Sequence, residues 1–190
     1  MKKVFLILAT ILSFSFALKE NEIKTTMQTN INKSLEALKK NKDKTKAANE
    51  IFKLFDFIFD YKLMAQLSLS TKYKTLSQEE KEKFQKAFEK QLKTNFTNKL
   101  NLYTNQEIKV KDGKKVKDNR YNLNSTMTVD GEEKSIVFKF YSKNDEWFIY
   151  DVDVLGISII QTYRSQFKDI LENGSFNDIL KALESVNFDK

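Results

Sequence analysis

Apolar side chains recur at steps of three and four residues through the first half of the chain, the spacing that places them on one side of an α-helix. Four helices are therefore predicted, over residues 18–40, about 45–60, 61–70 and 77–103. The second is apolar on two sides, which is typical of a helix with buried neighbours on both. Ser77 and Glu80 have the spacing of a capping box, so the fourth helix is predicted to begin at Ser77.

The apolar spacing changes from helical to alternating after residue 103, which indicates β-strands. Alternation predicts four strands, near residues 108–110, 121–129, 136–140 and 147–154. Asp130 with Gly131, and Asn144 with Asp145, separate the last three strands and suit tight hairpin turns. Sequential strands joined by short turns form an antiparallel meander.

Two further helices are predicted after the last strand. Gly156 interrupts the alternation, helical spacing then continues to about Gly174, and a final helix covers residues 175–185. No repeat, linker or second domain is evident. The predicted fold class is α+β: a curved antiparallel four-stranded meander packed on one face by several helices, forming one domain of residues 18–190.

Residues 1–17 have the three parts of an export signal. Lys2 and Lys3 precede an apolar run over residues 4–12, and Ser15 and Ala17 provide a cleavage site of small residues. The alternative is a membrane anchor, but a bilayer requires about 20 apolar residues. We therefore expect a cleaved signal and an exported protein.

The chain contains no histidine and no cysteine. This composition excludes Ser-His-Asp and Cys-His nucleophiles, the usual zinc sites and disulfides. Two arrangements remain formally able to do chemistry: the carboxylates of Asp151 and Asp153, and the pair Ser165 and Lys168. Neither arrangement has a companion motif, so we expect both to be solvated or ion-paired residues with structural roles.

The net charge of +7 comes almost entirely from lysine, and Arg120 and Arg164 are the two arginines. Most lysines alternate with acidic residues, as on a solvated surface. The densest cluster, within residues 109–117, is either a polar hairpin tip or a transient contact with anionic lipid head groups. An exported protein has little access to nucleic acid, so no nucleic-acid partner is expected.

Two blocks of sequence resemble the MlaC family, also called the toluene-tolerance group. The first is a strand, a G-I-S turn and a Y-R-S-Q-F helix segment, carried by Trp147, Asp151, Val152, Gly156, Ile157, Ser158, Tyr163, Arg164, Ser165, Gln166 and Phe167. The second is the F-I-F-D-Y-K-L-M-A run at residues 57–65, followed by the helix start at Ser77. The chain departs from the family where Ser70 and Tyr73 replace a G-x-x-W element.

The resemblance implies a periplasmic, non-enzymatic phospholipid carrier. Its expected partners are an inner-membrane ABC transporter with an MCE-domain ring, an outer-membrane lipoprotein complex and, transiently, the membrane surface. No cofactor is implied beyond the phospholipid carried as cargo. A periplasmic chaperone or adaptor, which would use the same apolar surface for protein partners, is the alternative.

A carrier of this kind must enclose two acyl chains, so the resemblance implies an apolar cavity between sheet and helices. We expect it to reach the upper end of the usual range of about 300–1,000 Å³. Arg164 is the head-group candidate, and its alternative role is an ion pair with Asp151 or Asp153. Phe88→Asp is expected to lower bound lipid while leaving the sheet intact. The predicted tail contacts are Phe55, Ile58, Phe88, Leu92, Phe138, Ile149, Ile160 and Tyr163.

Overall fold

Five helices, five strands and two more helices follow one another along residues 18–186, which the computed structural model describes apart from the side chain of Asn173. The predicted export signal lies outside the described residues. The helices are α1 Ile23–Lys40, α2 Lys44–Phe55, α3 Tyr61–Leu69, α4 Lys72–Thr75, α5 Gln78–Lys99, α6 Ile159–Asn173 and α7 Phe176–Ser185. The strands are β1 Ile108–Lys117, β2 Arg120–Val129, β3 Glu132–Lys143, β4 Glu146–Val154 and β5 Ile157–Ser158.

The strands form one antiparallel sheet in the order β1-β2-β3-β4-β5, which confirms the predicted meander and adds a short fifth strand. Both predicted hairpin turns are present. Asp130 and Gly131 have φ values of 51° and 79°, and Asn144 and Asp145 have values of 52° and 61°. Positive φ at both central residues matches the right-handed twist of the strands, and Asp, Asn and Gly tolerate it best.

The predicted capping box begins α5. The Ser77 hydroxyl accepts a hydrogen bond from the Glu80 amide at 3.2 Å, and the Glu80 carboxylate accepts one from the Ser77 amide at 2.8 Å. The α-helix ends at Lys99, where a 3₁₀ turn over Leu100–Leu102 continues it. The short helix α4 was not predicted, since four residues are too few for a periodic pattern.

The prediction that the second helix continues to residue 60 is wrong. Helix α2 ends at Phe55, and the segment after it lies against the free edge of β4. The Ile149 amide donates to the Ile58 carbonyl at 2.8 Å, and the Asp60 amide donates to the Ile149 carbonyl at 2.9 Å. Asp60 also caps α3 by accepting from the Leu63 amide, so the acid favours a new helix start over continuation.

A β-bulge in β4 changes which side chains face the core. The register shifts between Lys139 and Phe140, so Tyr150 has no partner residue in β3. Strict alternation would place Ile149 and Val152 on opposite faces, because they are three residues apart. The extra residue lets both join the same buried cluster, while Asp151 bonds to Ser158 and Ile160 at the start of α6.

Three clusters of buried apolar residues form the core. The helical cluster joins α3, α5, α6 and α7 and is built around Met64, Leu69, Phe84, Phe88, Tyr163, Phe167, Ile179 and Leu183. The sheet cluster joins α1 to the buried face of the sheet through Ile23, Met27, Ile58, Leu123, Phe140, Trp147, Ile149 and Val152. The third cluster joins α1, α2 and the end of α5 through Leu38, Ala47, Ala48, Ile51 and Leu100.

None of the described helices is long and apolar enough to cross a membrane.

Candidate functional site

The eight predicted tail contacts divide equally between two apolar clusters. Phe88, Leu92, Ile160 and Tyr163 belong to the helical cluster. Phe55, Ile58, Phe138 and Ile149 belong to the sheet cluster. Phe59 and Ile159 contact both clusters, and we call the boundary that these two residues occupy the seam. The structure therefore places the predicted residues in two sets on either side of one boundary.

The helical side of the seam is a close-packed group of aromatic rings. The Phe88 and Tyr163 ring centroids are 4.8 Å apart, and Phe84 and Phe167 pack against this pair. Burial raises the pKa of the Tyr163 hydroxyl, which keeps it protonated. These rings hold α5 against α6.

Four of the predicted residues lie in closed packing, whereas Ile160 lines a pocket. Ile58, Phe88, Ile149 and Tyr163 have no exposed surface, so no water-sized space reaches any of them. The described residues do contain a pocket of about 250 Å³, which is smaller than expected and has a mixed polar and apolar lining.

This pocket lies where α3 and α6 meet β3 and β4. Its lining residues are Leu67, Lys139, Tyr150, Asp151, Ser158, Ile160, Gln161 and Arg164. Ile160 also belongs to the buried helical cluster, and Leu67 packs against that cluster. The pocket is consequently polar at Arg164 and Lys139 and apolar on the side that adjoins the protein interior.

A buried carboxylate organises the pocket wall. Asp151 accepts hydrogen bonds from the Ser158 hydroxyl at 2.7 Å, the Ile160 amide at 3.2 Å and the Lys139 ammonium at 3.0 Å. Lys139 also pairs with Asp153 at 2.6 Å. Burial opposes the charged form of Lys139, but its bonds to Asp153 and Asp151 outweigh burial and raise the pKa of its ammonium group. Lys139 therefore stays charged and is held in place.

Arg164 has no ion-pair partner among residues 18–186. Its Nε donates to the Leu67 carbonyl at 2.6 Å, which ties α6 to α3. The expected alternative, an ion pair with Asp151 or Asp153, is wrong because Lys139 takes both carboxylates. Among the charged groups described at the pocket, Lys139 is paired with Asp151 and Asp153, whereas the Arg164 guanidinium has no carboxylate partner.

Comparisons with known proteins identify the family. A family model described as MlaC protein matches residues 28–185. The chain belongs to the MlaC family. This membership confirms the resemblance that the two sequence blocks indicated, and it covers helices and sheet alike.

The matches to this MlaC chain include one relative by sequence and one by structure. It is 25% identical over 121 residues to the intermembrane phospholipid transport system binding protein MlaC of Haemophilus influenzae. That alignment covers 61% of this chain and 56% of the relative, somewhat over half of its length. A phospholipid-binding protein from Ralstonia solanacearum, solved in complex with a phospholipid, superposes with a TM-score of 0.74 at 20% identity. The superposition covers 86% of this chain and 96% of the other, so the two share a fold.

Half of the residues that line the pocket of this MlaC member were not predicted from the sequence. These are Leu67, Lys139, Tyr150 and Gln161, although one signal was available. Lys139 is a lone cation between Phe138 and Phe140 in β3. The neighbouring strand, β4, carries two acids that lie two residues apart, Asp151 and Asp153. The bulge that directs Tyr150 outward has no comparable signal in the sequence.

The lysine-rich stretch of this MlaC chain is an edge strand and not a hairpin tip, because residues 108–117 form β1. Lys109, Lys111 and Lys115 pair with Glu107, Glu133 and Glu20. Charged side chains on an edge strand discourage pairing with other chains, which is a structural use of the cluster.

The two residue pairs that were considered for catalysis occupy positions in this fold that structural roles explain. Ser165 and Lys168 are both exposed on α6. Asp151 and Asp153 share one lysine, as described above. Among residues 18–186 there is no group of three or more acidic side chains that could hold a metal ion.

Proposed function

We propose that this chain is a non-enzymatic phospholipid carrier of the periplasm, holding the acyl chains at the seam between the helical cluster and the sheet cluster. The observation that carries the proposal is the joining of a cationic pocket to an apolar interior through Ile160. That arrangement complements a molecule with an anionic head and a hydrocarbon tail. Membership of the MlaC family, and the relatives named above, indicate which such molecule to test first.

The energetics of the cargo define what the seam must do. A diacyl lipid has roughly thirty methylene groups, so exposing both chains to water costs on the order of 20 kcal/mol. A pocket of 250 Å³ cannot cover that much hydrocarbon. The clusters therefore separate at Phe59 and Ile159, and acyl chains replace the contacts that the two faces make with each other. Because both faces are apolar, separation leaves few polar groups without a partner.

The head group is assigned to Arg164. Because Nε donates to the Leu67 carbonyl, the Nη atoms are the remaining donors of this side chain. A guanidinium group binds phosphate through paired hydrogen bonds. Lys139 contributes charge but is held by two carboxylates, so it is the weaker contact of the two.

The partners and location follow from the family. The chain is proposed to be exported by the signal of residues 1–17 and to act as a single domain. It would exchange lipid with an inner-membrane ABC transporter bearing an MCE-domain ring and with an outer-membrane lipoprotein complex. No step of this function requires a catalytic group or a cofactor beyond the cargo.

Extraction and site-specific crosslinking test the proposal. Organic extracts of the purified protein are expected to contain near-stoichiometric phospholipid by mass spectrometry. A photoreactive phenylalanine analogue at Leu92 or Phe138, one on each side of the seam, is expected to form lipid adducts. The matched control is Phe96, one turn beyond Leu92 on α5, which is exposed and pairs with Phe52. Lipid-free extracts, with crosslinks to polypeptides instead, would favour the chaperone or adaptor.

Arg164→Gln is expected to weaken phosphatidylglycerol binding about tenfold, because a charge-assisted bidentate contact is lost. Binding of diacylglycerol, which lacks the phosphate, should change little. Titration of both lipids into delipidated protein measures the difference. The control is Lys168→Gln, which removes an exposed cation one turn along the same helix. Equal loss for both lipids would assign Arg164 to structure alone.

A further inference from the structure

The turn between β4 and β5 has an unusual residue for its geometry. Leu155 and Gly156 have φ values of 56° and 80° and connect the paired residues Val154 and Ile157. The other two turns of this geometry, described above, use Asp, Gly and Asn. A leucine at positive φ is strained because its Cβ crowds the backbone, whereas Asn or Gly adopts this conformation readily.

The same turn exposes apolar side chains to solvent. Val154 is 37% exposed, and Leu155 and Ile157 are each 57% exposed. No charged residue occurs from Val154 to Ile160. We call residues 154–157 the apolar tip. The apolar tip combines backbone strain with exposed apolar side chains. Each feature destabilises the folded protein in water, so we expect the tip to serve binding rather than stability.

We propose that the apolar tip inserts into the surface of a lipid bilayer. The tip is continuous with the candidate lipid site, since Ser158 and Ile160 line the pocket and Ile159 lies at the seam. Insertion would therefore bring the entrance of the site to the membrane. The inference rests on the proposed function in one respect: both assume that the bound lipid is taken from a bilayer.

The size and chemistry of the tip favour a bilayer over a protein partner. A stable protein interface buries about 800 Å² on each side and involves roughly 20 residues or more. Three aliphatic side chains on one turn are too few for that, but shallow insertion at the boundary of head groups and acyl chains needs no more. Since the tip is uncharged, binding should depend little on salt, unlike binding through the lysines of β1.

Leu155→Asn tests the inference because it removes the hydrocarbon and relieves the strain together. Flotation of the purified full chain with vesicles of phosphatidylethanolamine and phosphatidylglycerol is expected to show about tenfold weaker binding, as for loss of one inserted side chain. The melting temperature should stay the same or rise. The control is Leu102→Asn: Leu102 is 68% exposed, lies in the 3₁₀ turn after α5 and should leave vesicle binding unchanged.

Several outcomes would overturn the inference. These are unchanged flotation of Leu155→Asn, an equal loss in Leu102→Asn, or loss of binding with a lower melting temperature. Abolition of wild-type binding by salt would assign the contact to the lysines of β1. Failure of the wild-type chain to float at all would also reject the tip as a membrane contact. It would leave the proposed function standing, because lipid in organic extracts is a separate measurement.

Discussion

Phe88→Asp is expected to unfold the helical part of the protein rather than to lower lipid content alone. The Phe88 side chain has no exposed surface and lies 4.8 Å from Tyr163 between ring centroids. An aspartate there has no cation within the apolar cluster, and the cavity left by the ring adds to the loss. The free energy of unfolding should fall by more than about 4 kcal/mol. Urea denaturation followed by circular dichroism measures this change.

Leu92→Asp is the matched comparison for Phe88→Asp. Leu92 lies one turn further along α5 and is only half-buried at the same cluster, so a carboxylate there can reach water. We expect it to remain folded while bound phospholipid falls severalfold, which makes Leu92 the better probe of the seam. A folded Phe88→Asp variant with an unchanged denaturation midpoint would contradict the packing described here.

The periodic parts of the fold could be predicted from the sequence because local patterning determines them. One row of apolar residues on α5 shows how far such patterning predicts the structure: Phe84, Phe88, Leu92, Phe96 and Leu100. Steps of four drift around a helix of 3.6 residues per turn, so this spacing predicts that the two ends of the row face different neighbours. The structure agrees: Phe88 lies in the helical cluster, and Leu100 lies in the third cluster.

The candidate site could be predicted only in part, because it depends on contacts between distant residues. The eight apolar residues were identified by type and spacing, but neither property indicates that the two sets would pack together without an open cavity. The break at Phe55 depends on backbone hydrogen bonds in which Ile58 accepts from Ile149 and Asp60 donates to Ile149, on a strand about ninety residues away. The partner of Asp151 depends on a bulge that shifts the register by one residue. Neither event leaves a periodic signal.

Asp151→Ala is expected to lower the free energy of unfolding by about 3–5 kcal/mol, because it removes one acceptor from three donors at once. The Ser158 hydroxyl and the Ile160 amide lie in buried surroundings at the start of α6, so both would lose the carboxylate and have only water from the adjoining pocket to replace it. Ser158 would still cap α6 through the Gln161 amide, but only the short pairing of β5 with β4 would then hold the helix start to β4. The denaturant midpoint measures the loss.

Asp153→Ala is the control for the Asp151 variant. The Asp153 side chain is 21% exposed against 7% for Asp151, and its ion pair is with Lys139 alone. We expect a loss of only about 1 kcal/mol, since Lys139 keeps Asp151 and partial exposure weakens the pair. Asp151→Asn should fall between the two. Its single amide oxygen can replace only one of the two carboxylate oxygens that accept from Ser158 and Ile160, and the charge facing Lys139 is gone. Equal destabilisation by Asp151→Ala and Asp153→Ala would mean that Asp151 does not organise the pocket wall. Lipid turnover lost in a folded Asp151→Asn protein would instead assign the carboxylate to catalysis.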